Sequence, residues 1–162
     1  MGASDHPVVR TVRMGLHPAM AALSAAALHI VVSVLGRTAG LLHPVGPGMV
    51  ALLDAQTGQV VRILHLDTHP GPIAVDEQSR RAFVLNTVEG TVRVLDAGTG
   101  SLLGTILLGR RWPTDGGTNG GIATDPTTGY AFVRSSAGAT AGLVNYRARG
   151  SGATRRAKAW AG

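Results

Sequence analysis

Residues Gly71 to Gly109 read GPIAVDEQSRRAFVLNTVEGTVRVLDAGTGSLLGTILLG, four short apolar runs parted by turn residues. The runs are Ile73 to Asp76, Ala82 to Asn86, Thr91 to Asp96 and Leu102 to Leu108. Each is rich in residues that suit a pleated strand, and each gap carries Gly, Asp, Asn or Ser. Asp and Asn at the strand ends start turns by bonding their own backbone a residue or two on. Gly98 and Gly100 bracket Thr99, a pattern for a hairpin that needs positive φ. The stretch predicts a four-stranded antiparallel meander.

The same unit recurs on both sides. Asp54, Ala55, Thr57 and Gly58 fall on Asp96, Ala97, Thr99 and Gly100 at a spacing of 42. Ile73, Ala74, Asp76, Ala82, Phe83 and Val84 fall on Ile122, Ala123, Asp125, Ala131, Phe132 and Val133 at 49. Upstream, Val8, Val9, Arg10, His17 and Pro18 match Val60, Val61, Arg62, His69 and Pro70 at 52. A repeat of roughly 40–45 residues carrying four strands is what one propeller blade needs. The extra length falls in two loops, so the register survives insertion. The expected fold class is all-β: a β-propeller-like tandem of four-stranded antiparallel blades, about three of them, forming an incomplete propeller.

The unit resembles the YVTN-type (YncE-like) β-propeller repeat family. Phe83, Val84, Leu85 and Asn86 stand where that family has Tyr-Val-Thr-Asn, followed by its Gly-Thr-Val at Gly90, Thr91 and Val92. The Leu-Asp-x-x-Thr-Gly turn occurs at Leu53 to Gly58 and again at Leu95 to Gly100. The resemblance covers about Val8 to Arg134. It implies propellers of around seven blades, diverse functions, and an extracytoplasmic or cell-surface setting for many relatives.

Composition agrees with that fold. The 162 residues are 44% apolar but only 4% aromatic, so the core is built from Val, Leu, Ile and Ala. Strands buried on both faces lose clean alternation and read as apolar runs. The 23 glycines follow no Gly-x-y period and belong to turns. Without cysteine there is no disulfide, thiolate metal site or Cys nucleophile. The net charge of +6 is concentrated in Arg147, Arg149, Arg155, Arg156 and Lys158; without those five, ten basic residues face nine acidic ones. The repeat body is nearly neutral.

The repeats are assigned to residues 1–134, in units of about 8–58, 59–100 and 101–146, the last degenerate. Residues 147–162 are expected to be a basic, disordered tail. Val8 to Met14 is expected to be a fourth, outer strand, so the chain opens in mid-blade, with Met1 an internal start in a longer frame. Ala19 to Leu35 has two readings: a blade's first two strands, or a signal or anchor segment with local helix propensity. The blade reading is preferred, because His17 and Pro18 align with His69 and Pro70 and His29 interrupts the apolar run. Thr38 to Gly48, with three glycines and two prolines, is expected to be a loop. An arc of three blades leaves apolar sheet unburied, so the chain is expected to be a fragment, or to self-associate.

His17 and His69 precede the first strands of successive blades, near the mouth of a central channel, where two or three repeated histidines would converge on a metal. Trp112 and Pro113 stand near that place in the third blade, which breaks the set and leaves His-Pro as turn chemistry. Asp115, Gly117, Asn119 and Gly120 have a faint calcium-loop spacing, but Pro126 stands where the closing Glu belongs. That insertion, with Arg111 and Trp112, is still the place for a blade-specific contact. Asp54, Asp76, Asp96 and Asp125 recur at strand ends, and an acid repeated in every blade is a turn residue, since catalysis needs it once. No Ser-His-Asp set and no phosphate-binding loop is visible.

The function expected from sequence is a non-enzymatic binding or interaction scaffold that takes a protein or small ligand. The candidate loop residues are His17, His69, Arg111, Trp112, Asp115 and Asn119, with no cofactor or metal. One alternative is part of a propeller enzyme, lactonase-like or a cofactor-dependent dehydrogenase, with its site over the central channel. A second is nucleic-acid binding by the basic tail, with Tyr146 and Trp160 beside its charges.

Overall fold

The computed structural model describes residues 11–14, 17–36, 38–39, 43–44, 46–66, 70–86, 88–108, 120–134, 141–146, 155–156 and 158–160. Among them there is no helix. The first sheet is built from β1 (His17–Ser24), β2 (His29–Leu35), β5 (Gly48–Asp54) and β6 (Val60–Leu66), hydrogen-bonded in that order. Between β2 and β5, β3 (Thr38–Ala39) and β4 (His43–Pro44) form a two-residue ladder, so the segment expected to be a plain loop carries a small hairpin. The second sheet is the intact unit: β7 (Ile73–Asp76), β8 (Arg81–Asn86), β9 (Thr91–Asp96) and β10 (Leu102–Leu107). The third contains β11 (Gly121–Asp125), β12 (Tyr130–Arg134) and β13 (Ala141–Asn145).

The alanine-rich stretch resolves in favour of the blade. Its first half is β1 and its second half β2, paired antiparallel from His17 with Leu35 to Ser24 with His29. Ladder pairing overrides the helix propensity of Ala19 to Leu28, a preference of only a few tenths of a kcal/mol per residue. No helix of the described residues is long and apolar enough to cross a membrane. The expected outer strand at Val8 to Met14 is corrected where it is described: Thr11 to Met14 is not strand, and it has no ladder partner among the described residues. Within 147–162, two short pieces join ladders. β14 (Arg155–Arg156) runs parallel to β10, and β15 (Lys158–Trp160) pairs with β13 as the fourth strand of the third sheet. The repeat units 8–58 and 59–100 each end between a sheet's third and fourth strands, so the sequence frame is one strand out of phase with the sheets.

Two apolar seams hold the three sheets in series. Val31, Val50, Leu52 and Leu66 of the first pack on Ala82, Val84, Leu95 and Ala97 of the second. Phe83, Leu85, Val92, Val94 and Ile106 on the other face of the second sheet pack on Ala131, Val133, Val144 and Tyr146 of the third. The pleat sends alternate side chains of β8 and β9 into opposite seams. Each buried Val or Leu contributes roughly 1.5–3 kcal/mol over an exposed one.

The turns repeat as closely as the strands. Asp54 Oδ1 accepts the Thr57 amide at 2.6 Å and its hydroxyl at 2.9 Å; Asp96 Oδ1 accepts those of Thr99 at 2.7 and 3.1 Å. Gly58 and Gly100 close these turns, each at φ +68. At Gly100 a Cβ would also lie 3.0 Å from the Arg62 side chain. The first hairpins match too, with Leu28, Arg80 and Gly129 in the left-handed region at equivalent places. Hydrogen bonds from Thr57 hold the Asp54 carboxyl below its ordinary value, and those from Thr128 and Thr127 do so for Asp125. At Asp96 burial pushes the other way and is outweighed by the bonds from Thr99. These carboxylates hold turns.

Candidate functional site

Three first strands lie side by side, β7 between β1 and β11. Thr124 Oγ1 of β11 donates to the Val75 carbonyl of β7 at 3.1 Å, and these two residues hold equivalent repeat positions. Just past β7, Glu77 reaches the turn just past β1. The strands therefore run in one direction, and their starting ends gather at one end of the arc. His17 is the first residue of β1, exposed and paired with Leu35. Among the described residues no group of three His, Asp or Glu side chains is placed to hold a metal ion. The other five candidates, His69, Arg111, Trp112, Asp115 and Asn119, lie outside the described residues.

Sequence reasoning missed the residues that lock the sheets together. Glu77 Oε1 accepts the Ala25 amide at 2.8 Å, and its Oε2 accepts the Ala26 amide at 3.0 Å and the Ser24 hydroxyl at 3.1 Å. One carboxylate of the second sheet thus caps a turn of the first. Removing it by Glu77→Ala is expected to destabilise the chain by about 1 kcal/mol. It should also speed hydrogen exchange at the Ala25 and Ala26 amides; unchanged exchange there would contradict the cap. Tyr146 joins the other seam. Its hydroxyl lies 2.7 Å from Asp76 Oδ2, its carbonyl accepts Arg81 Nη1 at 2.7 Å, and its ring sits 4.6 Å from that of Phe83. The signal was in the register: Tyr146 bonds the Gly129 carbonyl as Ala55 bonds that of Leu28 and Ala97 that of Arg80. An aromatic ring occupies the place of two alanines.

The third sheet keeps one apolar face uncovered. Ala131, Val133, Val144 and Tyr146 face the second sheet, so the alternate residues of β12 and β13 face away. Ala123, Phe132 and Leu143 are direct cross-strand neighbours on that outward face. Phe132 is 59% exposed, whereas Phe83, its repeat equivalent, is fully buried. Phe132 lines an open groove of about 300 Å³ together with Ile122, Ala123, Val133, Arg134 and Ala141. The side chain of Arg134 lies along the backbone of Gly121, where a Cβ would stand 2.8 Å from its Nε. On the first sheet the rows away from the second sheet run Leu23, Ile30, Leu53, Val60 and Ala21, Val32, Ala51, Ile63, and their central residues Leu53 and Ala51 are buried. Leu23, Val60 and Ile63 are exposed.

Sheets of four antiparallel strands, stacked through both faces with their first strands side by side and left open at the ends, make an incomplete β-propeller. Solved structures agree. The chain is similar to Kuenenia stuttgartiensis hydrazine synthase at TM-score 0.63 and 19% identity, over 98% of this chain and 38% of that one. It is similar to the Cps50 (Swd1) β-propeller domain of Myceliophteria thermophila at 0.61 and 13%, over 85% and 38%. A chain of a nidogen/laminin complex matches at 0.50 and 16%, over 76% and 41%. This chain therefore spans about two fifths of the length of these structures. No family model and no curated protein matches the sequence. The expectation that the chain is not an enzyme is corrected by this comparison, because the same fold occurs in an enzyme, hydrazine synthase. At such identities the likeness carries the fold alone, and the fold admits catalysis as well as binding.

Proposed function

We propose that this chain supplies three blades of a YVTN-type β-propeller that binds a protein or small ligand at the end where the first strands begin. The observation that carries the reading is the alignment of β1, β7 and β11, with equivalent residues Val75 and Thr124 in contact. His17 opens β1, and in sequence the segments preceding β7 and β11 hold His69, Arg111, Trp112, Asp115 and Asn119. Surface segments set on a rigid scaffold are where binding residues concentrate. The recurring Asp-Thr-Gly turn at Asp54 and Asp96 supports the family reading, and the resemblance in turn supports an extracytoplasmic or cell-surface setting.

The test is a screen of small organic acids, sugars and metal ions against the labelled chain by amide NMR. Ligands are expected to shift the signals of His17, His69 and residues 109–121, and Trp112→Ala should abolish those shifts at an unchanged urea midpoint. Shifts confined to other residues would sink the proposal.

A further inference from the structure

The outward face of the third sheet departs from the repeat at one residue. Phe132 and Arg134 alternate along β12 and stand where Phe83 and Leu85 stand on β8. On β2 the place of Arg134 belongs to Ser33. Leu85 and Ser33 are fully buried, whereas Arg134 is exposed. The cross-strand neighbours of Arg134 are Gly121 and Ala141, where Leu85 has Pro72 and Val92. Small residues thus flank the arginine, and a Cβ at Gly121 would stand 2.8 Å from its Nε and 3.1 Å from its Cγ. Among the described residues Arg134 makes no hydrogen bond or ion pair. An unpaired guanidinium is strongly disfavoured inside an apolar seam, so this row is not made for another purely apolar sheet. It calls for an anion.

We propose that the groove on this face binds a small aromatic carboxylate, its ring against Phe132 and its carboxylate on Arg134. Three features select this occupant. The groove of about 300 Å³ has the size of a site for a small molecule. Phe132, 59% exposed, offers a ring for offset or edge-on contact. The fork of a guanidinium matches a carboxylate through two parallel hydrogen bonds, and the stem of Arg134 is already laid along Gly121. Phe132 and Arg134 lie two residues apart on β12, about 7 Å along the strand, a span that a two-ring acid covers. The site consists of strand residues of the third sheet, so it goes beyond the loop site proposed above.

The experiment is a titration of the full chain with 2-naphthoate, followed by amide NMR. Naphthamide, which lacks the charge, and acetate, which lacks the rings, are the control probes. Naphthoate is expected to shift the amides of Gly121, Ala123, Phe132, Arg134 and Ala141 to saturation. Naphthamide should bind at least about tenfold more weakly, and acetate should not saturate over the same range. Arg134→Met keeps an apolar stem and should bring naphthoate down to the level of naphthamide. Phe132→Ala should weaken both naphthyl probes by about the same factor. Urea midpoints of both variants should match the wild type, since both side chains are exposed. Absence of saturable shifts at these amides overturns the site. So does equal binding of naphthoate and naphthamide, which would leave an apolar patch only. Binding that survives Arg134→Met but is lost in Trp112→Ala also overturns it, and leaves the loop site standing.

Discussion

Phe83→Ala is expected to lower the unfolding free energy by about 3–5 kcal/mol, the range for truncating a fully buried phenylalanine. Phe83 has no exposed surface, and its ring sits 4.6 Å from that of Tyr146 at an interplanar angle of 49°. Its loss opens the seam between the second and third sheets where Leu85, Val94 and Val133 also meet. A domain of this size has only about 5–15 kcal/mol in all, so the variant should be partly unfolded at moderate temperature. The control is Phe132→Ala at the equivalent repeat position. With 59% of its surface exposed, that change should stay within about 0.5 kcal/mol in the single chain. Urea midpoints of both variants, taken at a concentration where the chain is monomeric, decide the matter. Equal losses there would mean that the face of the third sheet is already covered. If the effect of Phe132→Ala grows toward that of Phe83→Ala as concentration rises, the covering partner is another copy.

This pair of phenylalanines also shows what could be read from the sequence. Alignment at a spacing of 49 placed them as equivalents, and β8 and β12 put both third in their strands after Ala82 and Ala131. The strand order, the Asp turns and the glycines at positive φ were legible for the same reason: each is local, and each recurs. Burial was not legible, because it depends on whether a neighbouring sheet exists, and strands of the same composition lie on both sides of that question. The fourth strand of the third sheet was hidden differently. Its ladder partner to β13 comes from Lys158–Trp160, well past the repeat, where basic residues and missing periodicity read as disorder. Of the candidate site, only His17 falls among the described residues, and it is the first residue of β1 rather than a residue before the strand, because β1 begins earlier in the repeat than β7 does at Ile73. Tyr146 read as the edge of the basic tail beside Arg147. Its partner Asp76 is 70 residues away, a distance over which spacing patterns say nothing.

Tyr146→Phe should therefore have an effect out of proportion to one oxygen atom. The ring and its contact with Phe83 remain, as does the Arg81 bond to the backbone carbonyl. What goes is the hydroxyl 2.7 Å from Asp76 Oδ2, a carboxylate with 1% of its residue surface exposed. Asp76 keeps the Ser79 hydroxyl at 2.5 Å and the Gln78 and Ser79 amides. Losing one charge-assisted bond to a buried group is expected to destabilise by about 1.5–3 kcal/mol at neutral pH. The pH dependence separates this from a packing defect. Burial pushes the Asp76 carboxyl up, but the bonds from Ser79 and Tyr146 more than offset it and hold the group below its ordinary value of 3.8. A depressed carboxylate contributes stability that is complete above the unfolded-state value and is lost as pH falls through the lower folded-state value. The variant raises the folded-state value and so forfeits part of that contribution. The gap between wild type and Tyr146→Phe should be full at neutral pH and shrink as pH drops below about 4, where Asp76 takes up its proton in both proteins. Asp76→Asn supplies the second arm of a double-mutant cycle. In that background Tyr146→Phe should be milder and independent of pH across the same range. A gap that stays constant down to acid pH, or survives undiminished beside asparagine, would show that the tyrosine acts through its ring alone.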